Sequence, residues 1–303
     1  MNRIPTITKN LLIINVIVFM ASAVLEMRGI DIAAIGGLHF FMAENYHLYQ
    51  FVTYMFLHGG FTHILFNMFA LWMFGCVIEN VWGPKKFLFY YISCGIGAGI
   101  IQQIAQFVQF YLNVSAQYPE LPFIEVFEIG RQVSSQLNGW TTIGASGAVY
   151  AILLAFGMIF PNERIFIFPL PIPIKAKWFV MFYAAVELFS ALGSPGDGVA
   201  HTAHLGGMLF GFLIIRYWNR HSVTDFNING GRQFFDNLKH NFERRRSGSR
   251  RDEDPTRHET DWEYNERKKA NQEEIDRILD KIRKSGYDSL TKEEKRTLFE
   301  NRN

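Results

Sequence analysis

Residues 143–160 read IGASGAVYAILLAFGMIF, and residues 201–218 read HTAHLGGMLFGFLIIRYW. Each stretch approaches the length of about 20 residues that an α-helix needs to cross the hydrocarbon core of a bilayer. Because lipid offers the backbone no hydrogen-bond partners, a crossing segment of this kind must be helical. Each stretch also carries a side chain capable of chemistry near its start, Ser146 in the first and His204 in the second. The two stretches therefore predict membrane helices with reactive groups near one end.

Four further apolar stretches, residues 10–25, 61–81, 87–112 and 178–192, extend the prediction to six membrane helices and an all-α fold. Basic residues in short loops favour the cytoplasmic side of the membrane. With a cytoplasmic N-terminus, the basic loop residues outside are Arg28 and Arg131, and those inside are Arg3, Lys9, Lys85, Lys86, Arg164, Lys175, Lys177 and Arg216. This distribution predicts that both termini are cytoplasmic.

Charge separates the chain into a membrane domain, residues 1–218, and a soluble tail. The membrane domain contains 10 basic and 10 acidic side chains, whereas the tail, residues 219–303, contains 20 and 18. Dense charge with few apolar residues predicts a flexible linker over 219–270. Apolar residues at helical spacing, followed by a capping-box pattern that starts at Thr291, predict a short helical hairpin over 271–303.

The predicted topology brings polar residues of three helices to one leaflet. The helices that contain His63 and Asn67, Ser146, and His204 all begin on the outer side, so these four residues lie at similar depth. Polar side chains at membrane depth usually face the bundle interior or a wet cavity and mark function. We therefore expect the four residues to form one site.

These residues have the chemistry that peptide hydrolysis requires. Ser146 can attack a carbonyl if a base takes its proton, and His204 suits that base because its reference pKa is near neutral. His63 and Asn67 are four residues apart and share one helix face, from which both can donate hydrogen bonds. The Ser146 amide, at a helix start, lacks an intrahelical partner and adds a third donor for an oxyanion.

Small residues explain how the helices approach one another. Gly207 and Gly211 form a small-xxx-small face, and Gly147 offers a smooth surface beside Ser146. Tyr150, one turn after Ser146, is expected to stack on the His204 ring. A serine, a histidine or a glycine pair of this kind is by itself most often a packing element; the convergence of the set favours catalysis.

The motifs together resemble the rhomboid family of intramembrane serine proteases, of the Bacteroidetes type with a C-terminal cytosolic helical tail. The matching segments are HILFN at 63–67, GASGAVY at 144–150, and AHLGG at 203–207 followed by Gly211. The resemblance covers about residues 10–218. It implies a six-helix bundle with a water-filled cavity open to the outer face, a multi-pass location in a bacterial inner membrane, and no cofactor.

The resemblance also implies roles for single residues. It implies a Ser146–His204 dyad without a third acid, and oxyanion stabilisation by His63 and Asn67, with Gly144 and Tyr150 as supporting residues. Two other positions also fit the family pattern, Glu79 as a structural acid and His58. The implied substrates are single-pass membrane proteins that are cut near the outer end of their transmembrane helix. Lipid is the other expected partner, nucleic acid is not expected, and the partner of the tail is open.

One position departs from the family pattern. Many members carry Trp-Arg in the first outer loop, where this chain has Tyr49-Gln50. That motif is thought to brace the loop, so the substitution puts the bracing in doubt and leaves the chemistry in place.

Other polar residues have competing interpretations. His201 and His204 are three residues apart, as metal ligands can be, but no His-Glu-x-x-His pair occurs and no metal is expected. Asp197 could orient His204, although the surrounding Ser-Pro-Gly-Asp-Gly composition favours a turn. Glu187, in the fifth membrane segment, is either part of a polar cavity wall or a structural hydrogen-bonding group.

Two other functions compete with proteolysis. The first is an inactive rhomboid-like protein that binds membrane clients. The intact Ser146–His204 pair argues against this function. The second is a transporter or channel, which would be expected to show an internal repeat or paired broken helices. The sequence shows no convincing repeat.

Overall fold

The computed structural model describes residues 4–166, 173–193 and 199–221, together with the single residues Ile278, Lys281 and Thr291. The first of two compact units, Met1–Asn241, contains the fold described below. The predicted linker and tail hairpin lie outside the described residues, apart from the end of the last helix and the three single residues. Asp197 and its expected turn also lie outside them.

The described part of the chain is a bundle of helices with two very short two-stranded antiparallel sheets. The helices are α1 (Thr6–Glu26), α2 (Ile32–Gly36), α3 (Gln50–Thr53), α4 (Phe61–Ala70), α5 (Cys76–Trp82), α6 (Pro84–Gln117), α7 (Glu125–Gln132), α8 (Ser146–Ile159), α9 (Ala176–Gly193) and α10 (His201–Arg220). A π-helical turn, Leu71–Gly75, joins α4 to α5, and 3₁₀ turns cover Tyr54–Phe56 and Gln136–Gly139. The strands β1 (Leu38–His39) and β2 (Thr141–Thr142) pair with each other, as do β3 (Arg164–Phe166) and β4 (Pro173–Lys175).

Each of the six predicted membrane segments is helical over most of its length. Among the described residues, four helices are long and apolar enough to cross a membrane: Thr6–Glu26, Phe61–Trp82, Pro84–Gln117 and Ala176–Gly193. The helix α8 is apolar but has 14 residues, and α10 has 20 residues. The helix α6 has 34 residues and is about 50 Å long at 1.5 Å per residue, so it extends beyond a hydrocarbon core of about 30 Å. The fold is a polytopic membrane bundle.

The helices α8 and α10 cross at the centre of the bundle, where glycines bring their backbones together. A Cβ on Gly207 would lie 1.9 Å from the carbonyl oxygen of Gly147, so any side chain at 207 would force the two helices apart. A Cβ on Gly211 would lie 2.3 Å from the Tyr90 hydroxyl, which donates a 2.8 Å hydrogen bond to the Ala151 carbonyl. This close crossing sets the distance between the N-terminal ends of α8 and α10.

A buried carboxylate fixes the start of α1. The two oxygens of Glu79 accept hydrogen bonds from the backbone amides of Ile7 at 2.9 Å and Thr8 at 2.7 Å, and the Thr8 hydroxyl donates a third at 2.8 Å. The first amides of a helix have no intrahelical acceptor, and the helix dipole favours negative charge there. Glu79 therefore holds α1 against α5.

The buried amide of Gln50 organises the loop region between α1 and α4. Its oxygen accepts from the amides of His39 at 3.3 Å and His47 at 3.0 Å, and its nitrogen donates to the carbonyls of Ile35 at 3.3 Å and Asn45 at 2.8 Å. An amide that makes four bonds braces the loop without the positive charge of an arginine. The departure at this position thus retains a bracing side chain.

Candidate active site

Ser146 is the first residue of α8, and the backbone before it is shaped by Gly144. Gly144 has a φ of 136°, a conformation that residues with a side chain rarely adopt, and its amide donates a 2.9 Å bond to the Tyr54 carbonyl. A Cβ at this position would lie 2.9 Å from Nε2 of His63 and 3.3 Å from Oγ of Ser146. The absence of a side chain therefore lets the His63 ring approach the serine.

His204 lies in the first turn of α10 and contacts Ser146 directly. Its Nε2 atom is 2.8 Å from Ser146 Oγ, and the residue is 8% exposed. The Tyr150 ring stacks on the imidazole with centroids 4.4 Å apart and planes within 6° of parallel. The stacking fixes the ring plane, so the histidine is held in position to accept the hydroxyl proton of Ser146.

His63 and Asn67 lie on one face of α4. The Gly59 amide donates to His63 Nδ1 at 3.3 Å, which assigns the ring proton to Nε2, the nitrogen that faces Gly144 and Ser146. Asn67 is buried, and its Nδ2 donates one bond, of 2.9 Å, to the His63 carbonyl. That amide nitrogen carries a second hydrogen. The structure thus brings an N–H donor of His63 to the serine side and places Asn67 one turn deeper.

His58, which precedes α4, packs against the His63 ring with centroids 5.1 Å apart. Burial, and next the nearby His63, lower the pKa of His58 to about 4. A neutral His58 can therefore pack against His63 at physiological pH without placing a positive charge beside the site.

The structure places Glu187, on α9, against the His204 ring. Its Oε2 atom lies 2.9 Å from His204 Nδ1 and 2.6 Å from His201 Nδ1, and its Oε1 accepts a hydrogen bond from the Tyr150 hydroxyl. A carboxylate therefore lies beside His204, where the resemblance implied no third acid, and the Ser146–His204 dyad stays a prediction. A carboxylate within an apolar segment is a signal for function, but its spacing does not reveal which residue it contacts.

Glu187, His201 and His204 are also residue types that bind metal ions. Among the described residues, Glu187, His201 and His204 place ligand atoms within 4.8 Å of one another. Both imidazole Nδ1 atoms are at hydrogen-bonding distance from the same carboxylate oxygen, which accounts for all three groups without a cation. His58 and His63 are not part of this group.

Comparison with known proteins gives two family matches in different parts of the chain. Residues 45–220 match the Rhomboid domain family. Residues 258–301 match a family of unknown function, DUF6576.

The chain is similar to several curated rhomboid proteins. It is 29% identical over 160 residues to the mitochondrial Rhomboid protein 1 of Saccharomyces cerevisiae. The aligned region is 52% of this chain and 38% of the yeast protein. It is 25% identical over 215 residues to the rhomboid protease AarA of Providencia stuartii, 69% of this chain and 70% of that protein. It is 27% identical over 171 residues to the putative rhomboid protease YdcA of Bacillus subtilis, 55% and 68%. Because the Rhomboid match covers more than half of the chain, and because the helices form a polytopic bundle, the protein belongs to the rhomboid family of integral membrane proteins, whose members include intramembrane proteases.

Proposed function

We propose that this protein is an intramembrane serine endopeptidase in which Ser146 is the nucleophile and His204 is the base. The observation that carries the proposal is the 2.8 Å contact between Ser146 Oγ and His204 Nε2. As Oγ bonds to the substrate carbonyl carbon, its proton passes to Nε2 and the carbonyl electrons move onto oxygen. The same proton then goes to the leaving amine, and water hydrolyses the acyl-enzyme by the reverse sequence.

The developing oxyanion requires fixed donors. The Ser146 amide lies at the start of α8, and the His63 Nε2–H faces the space beside Gly144 and Ser146 Oγ. The second hydrogen of the Asn67 amide is a further candidate donor. Preorganised donors stabilise such a transition state because they need no reorganisation when charge develops.

The position of the site in the bundle suggests the substrate. In the proposed topology the N-terminal ends of α4, α8 and α10 face the outer side of a bacterial inner membrane. A site at that depth would cut the transmembrane segment of a single-pass protein near its outer end. The termini would be cytoplasmic.

The tail is proposed to be a separate cytosolic module. The Rhomboid match ends at residue 220, and the second family match begins at residue 258. The gap supports a linker between a membrane domain and a tail module, which we propose as a membrane domain over 1–218, a linker over 219–270 and a tail hairpin over 271–303. The second match begins inside that proposed linker and covers its residues 258–270. The proposal leaves the partner of the tail open.

The function can be tested with purified full-length protein in proteoliposomes. Labelled single-pass substrates and a fluorophosphonate probe would be presented to the wild type, Ser146→Ala and His204→Ala, with Ser93→Ala as a matched serine control in α6. We expect cleavage and labelling in the wild type and in Ser93→Ala, and neither in the other two variants. A folded wild type that neither cleaves nor labels would refute the proposal and favour a client-binding protein.

A further inference from the structure

Glu187 is a buried carboxylate in a membrane helix, and its surroundings account for it completely. It is 5% exposed, and its partners are two imidazoles of α10 and one hydroxyl of α8. A charged group at membrane depth is costly and is retained where it pairs with other groups or serves a function. Three hydrogen-bond donors from two neighbouring helices converge on this single carboxylate.

The His204 ring lies between Glu187 and Ser146 and uses one nitrogen for each. Nδ1 is 2.9 Å from Glu187 Oε2, and Nε2 is 2.8 Å from Ser146 Oγ. A carboxylate accepts hydrogen bonds, so Nδ1 must carry the proton in this contact. Nε2 is then left with a lone pair that faces the serine hydroxyl, which is the tautomer that a general base requires.

We infer that Glu187 is a positioning residue that acts through His204 and makes the Ser146–His204 pair a Ser–His–Glu triad. The inference rests on the proposed function of the same site. When the Ser146 proton moves to Nε2, the ring becomes an imidazolium and Glu187 stabilises its charge. The carboxylate keeps its hydrogen bond to Nδ1–H and does not take the proton.

Tyr150 and His201 hold the carboxylate in this orientation. The Tyr150 hydroxyl donates to Oε1 while its ring stacks on His204, so one side chain fixes both the acid and the base. His201 is one turn before His204 and donates to the same Oε2 atom at 2.6 Å. The α9 helix is thereby tied to α8 and α10 at the catalytic layer.

The test compares Glu187→Gln and Glu187→Asp with the wild type, using the rate and the end point of fluorophosphonate labelling. The end point counts folded sites, whereas the rate per site reports the reactivity of Ser146. The amide is isosteric but neutral, and it can pair with either tautomer of His204. We expect Glu187→Gln to lower the rate per site and kcat about 100-fold or more, with KM changed less than about twofold. Glu187→Asp keeps the charge and should retain more of the rate than Glu187→Gln.

A matched control is Glu79→Gln, which neutralises another buried carboxylate far along the chain from these residues. It should lower the labelling end point after heating and leave the rate per site unchanged. If Glu187→Gln behaves in this way, or labels at the wild-type rate, the inference is overturned while the proposed function stands. A wild type without labelling would overturn both.

A chelator distinguishes the positioning role of Glu187 from metal binding by Glu187, His201 and His204. Wild-type protein treated with EDTA should keep its full labelling rate, because hydrogen bonds alone hold the triad. A loss of rate on EDTA treatment that added Zn²⁺ restores would replace the positioning role with a metal site and overturn the inference.

Discussion

Glu79 and Glu187 are both buried carboxylates in membrane helices, yet they hold different groups. Glu79 accepts hydrogen bonds from two backbone amides at the start of α1 and from the Thr8 hydroxyl. Glu187 accepts from two imidazoles and a phenol, all of them side chains. The first carboxylate fixes where a helix begins, and the second favours the tautomer of His204 that carries its proton on Nδ1.

The difference shows that burial and charge alone do not identify a functional acid. Backbone amides have no second protonation state within reach of physiological pH, so an acid that binds them can only support structure. An imidazole changes its protonation during general base catalysis, so an acid that binds it can stabilise one state over the other. The partner therefore decides what each carboxylate contributes.

The largest effect is expected from Gly207→Ala. This substitution should disturb the site around Glu187 and leave the contacts of Glu79 intact, because it moves only one helix, α10. In Gly207→Ala the new Cβ would lie 1.9 Å from the Gly147 carbonyl oxygen, so α10 must move away from α8. The shift would pull His204 from Ser146, and a misplacement of about 1 Å can cost about 10²-fold in rate. We expect at least that loss in fluorophosphonate labelling, while the hydrogen bonds of Glu79, which involve no residue of α10, persist.

The control is Gly193→Ala, because within the described residues a Cβ on Gly193, at the end of α9, would meet no atom within 4 Å beyond the adjacent backbone. It should label at the wild-type rate. Wild-type labelling by Gly207→Ala would show that the α8–α10 crossing does not set the serine–histidine distance.

A smaller and purely structural effect is expected at Glu79. Glu79→Ala leaves two amides of α1 and the Thr8 hydroxyl without their acceptor, and unsatisfied buried groups cost about 1–3 kcal/mol each before relaxation. We expect a loss of about 2–4 kcal/mol in the free energy of unfolding and an unchanged labelling rate per folded site.

Thermal unfolding can be followed with a thiol-reactive dye, because Cys76 and Cys94 are both buried and free. A Glu79 variant with native stability would contradict the anchoring role. A Glu79 variant with a reduced labelling rate per site would show that Glu79 also affects the reactivity of Ser146. The contrast with Glu187 would then be lost.

The sequence predicted the helices, and it placed Ser146, His204 and His63 at one end of the bundle, because both predictions depend on composition and on position along each segment. In the predicted topology, the helices that contain Ser146, His204, His63 and Asn67 enter from the same side, so that topology alone predicts a common depth for them. Contact between Glu187 and His204 depends instead on how α9 is rotated against α10. A single carboxylate in an apolar helix carries no information about that rotation, which is why two interpretations of Glu187 stayed open.

Gln50 shows the same limit in a loop. The sequence revealed that this position lacks the arginine of many relatives, and it could not show that four backbone groups surround the side chain. Those groups come from residues 35, 39, 45 and 47. Their approach depends on the tertiary path of the loop, which no local pattern specifies.

The smallest expected effect tests the phenol that joins Glu187 to α8. Tyr150→Phe keeps the ring that stacks on His204 and removes the hydroxyl that donates to Glu187 Oε1. A hydrogen bond to a charged group contributes about 1.5–3 kcal/mol; because only part of that loss reaches the transition state, we expect a decrease of about tenfold in the labelling rate per site. Tyr90→Phe, which removes a buried phenol bonded to the Ala151 carbonyl, is the matched control and should alter stability alone. If both variants keep the wild-type rate, Glu187 does not need the Tyr150 hydroxyl to face His204. The hydrogen bonds from His201 and His204 of α10 are then sufficient to orient the carboxylate.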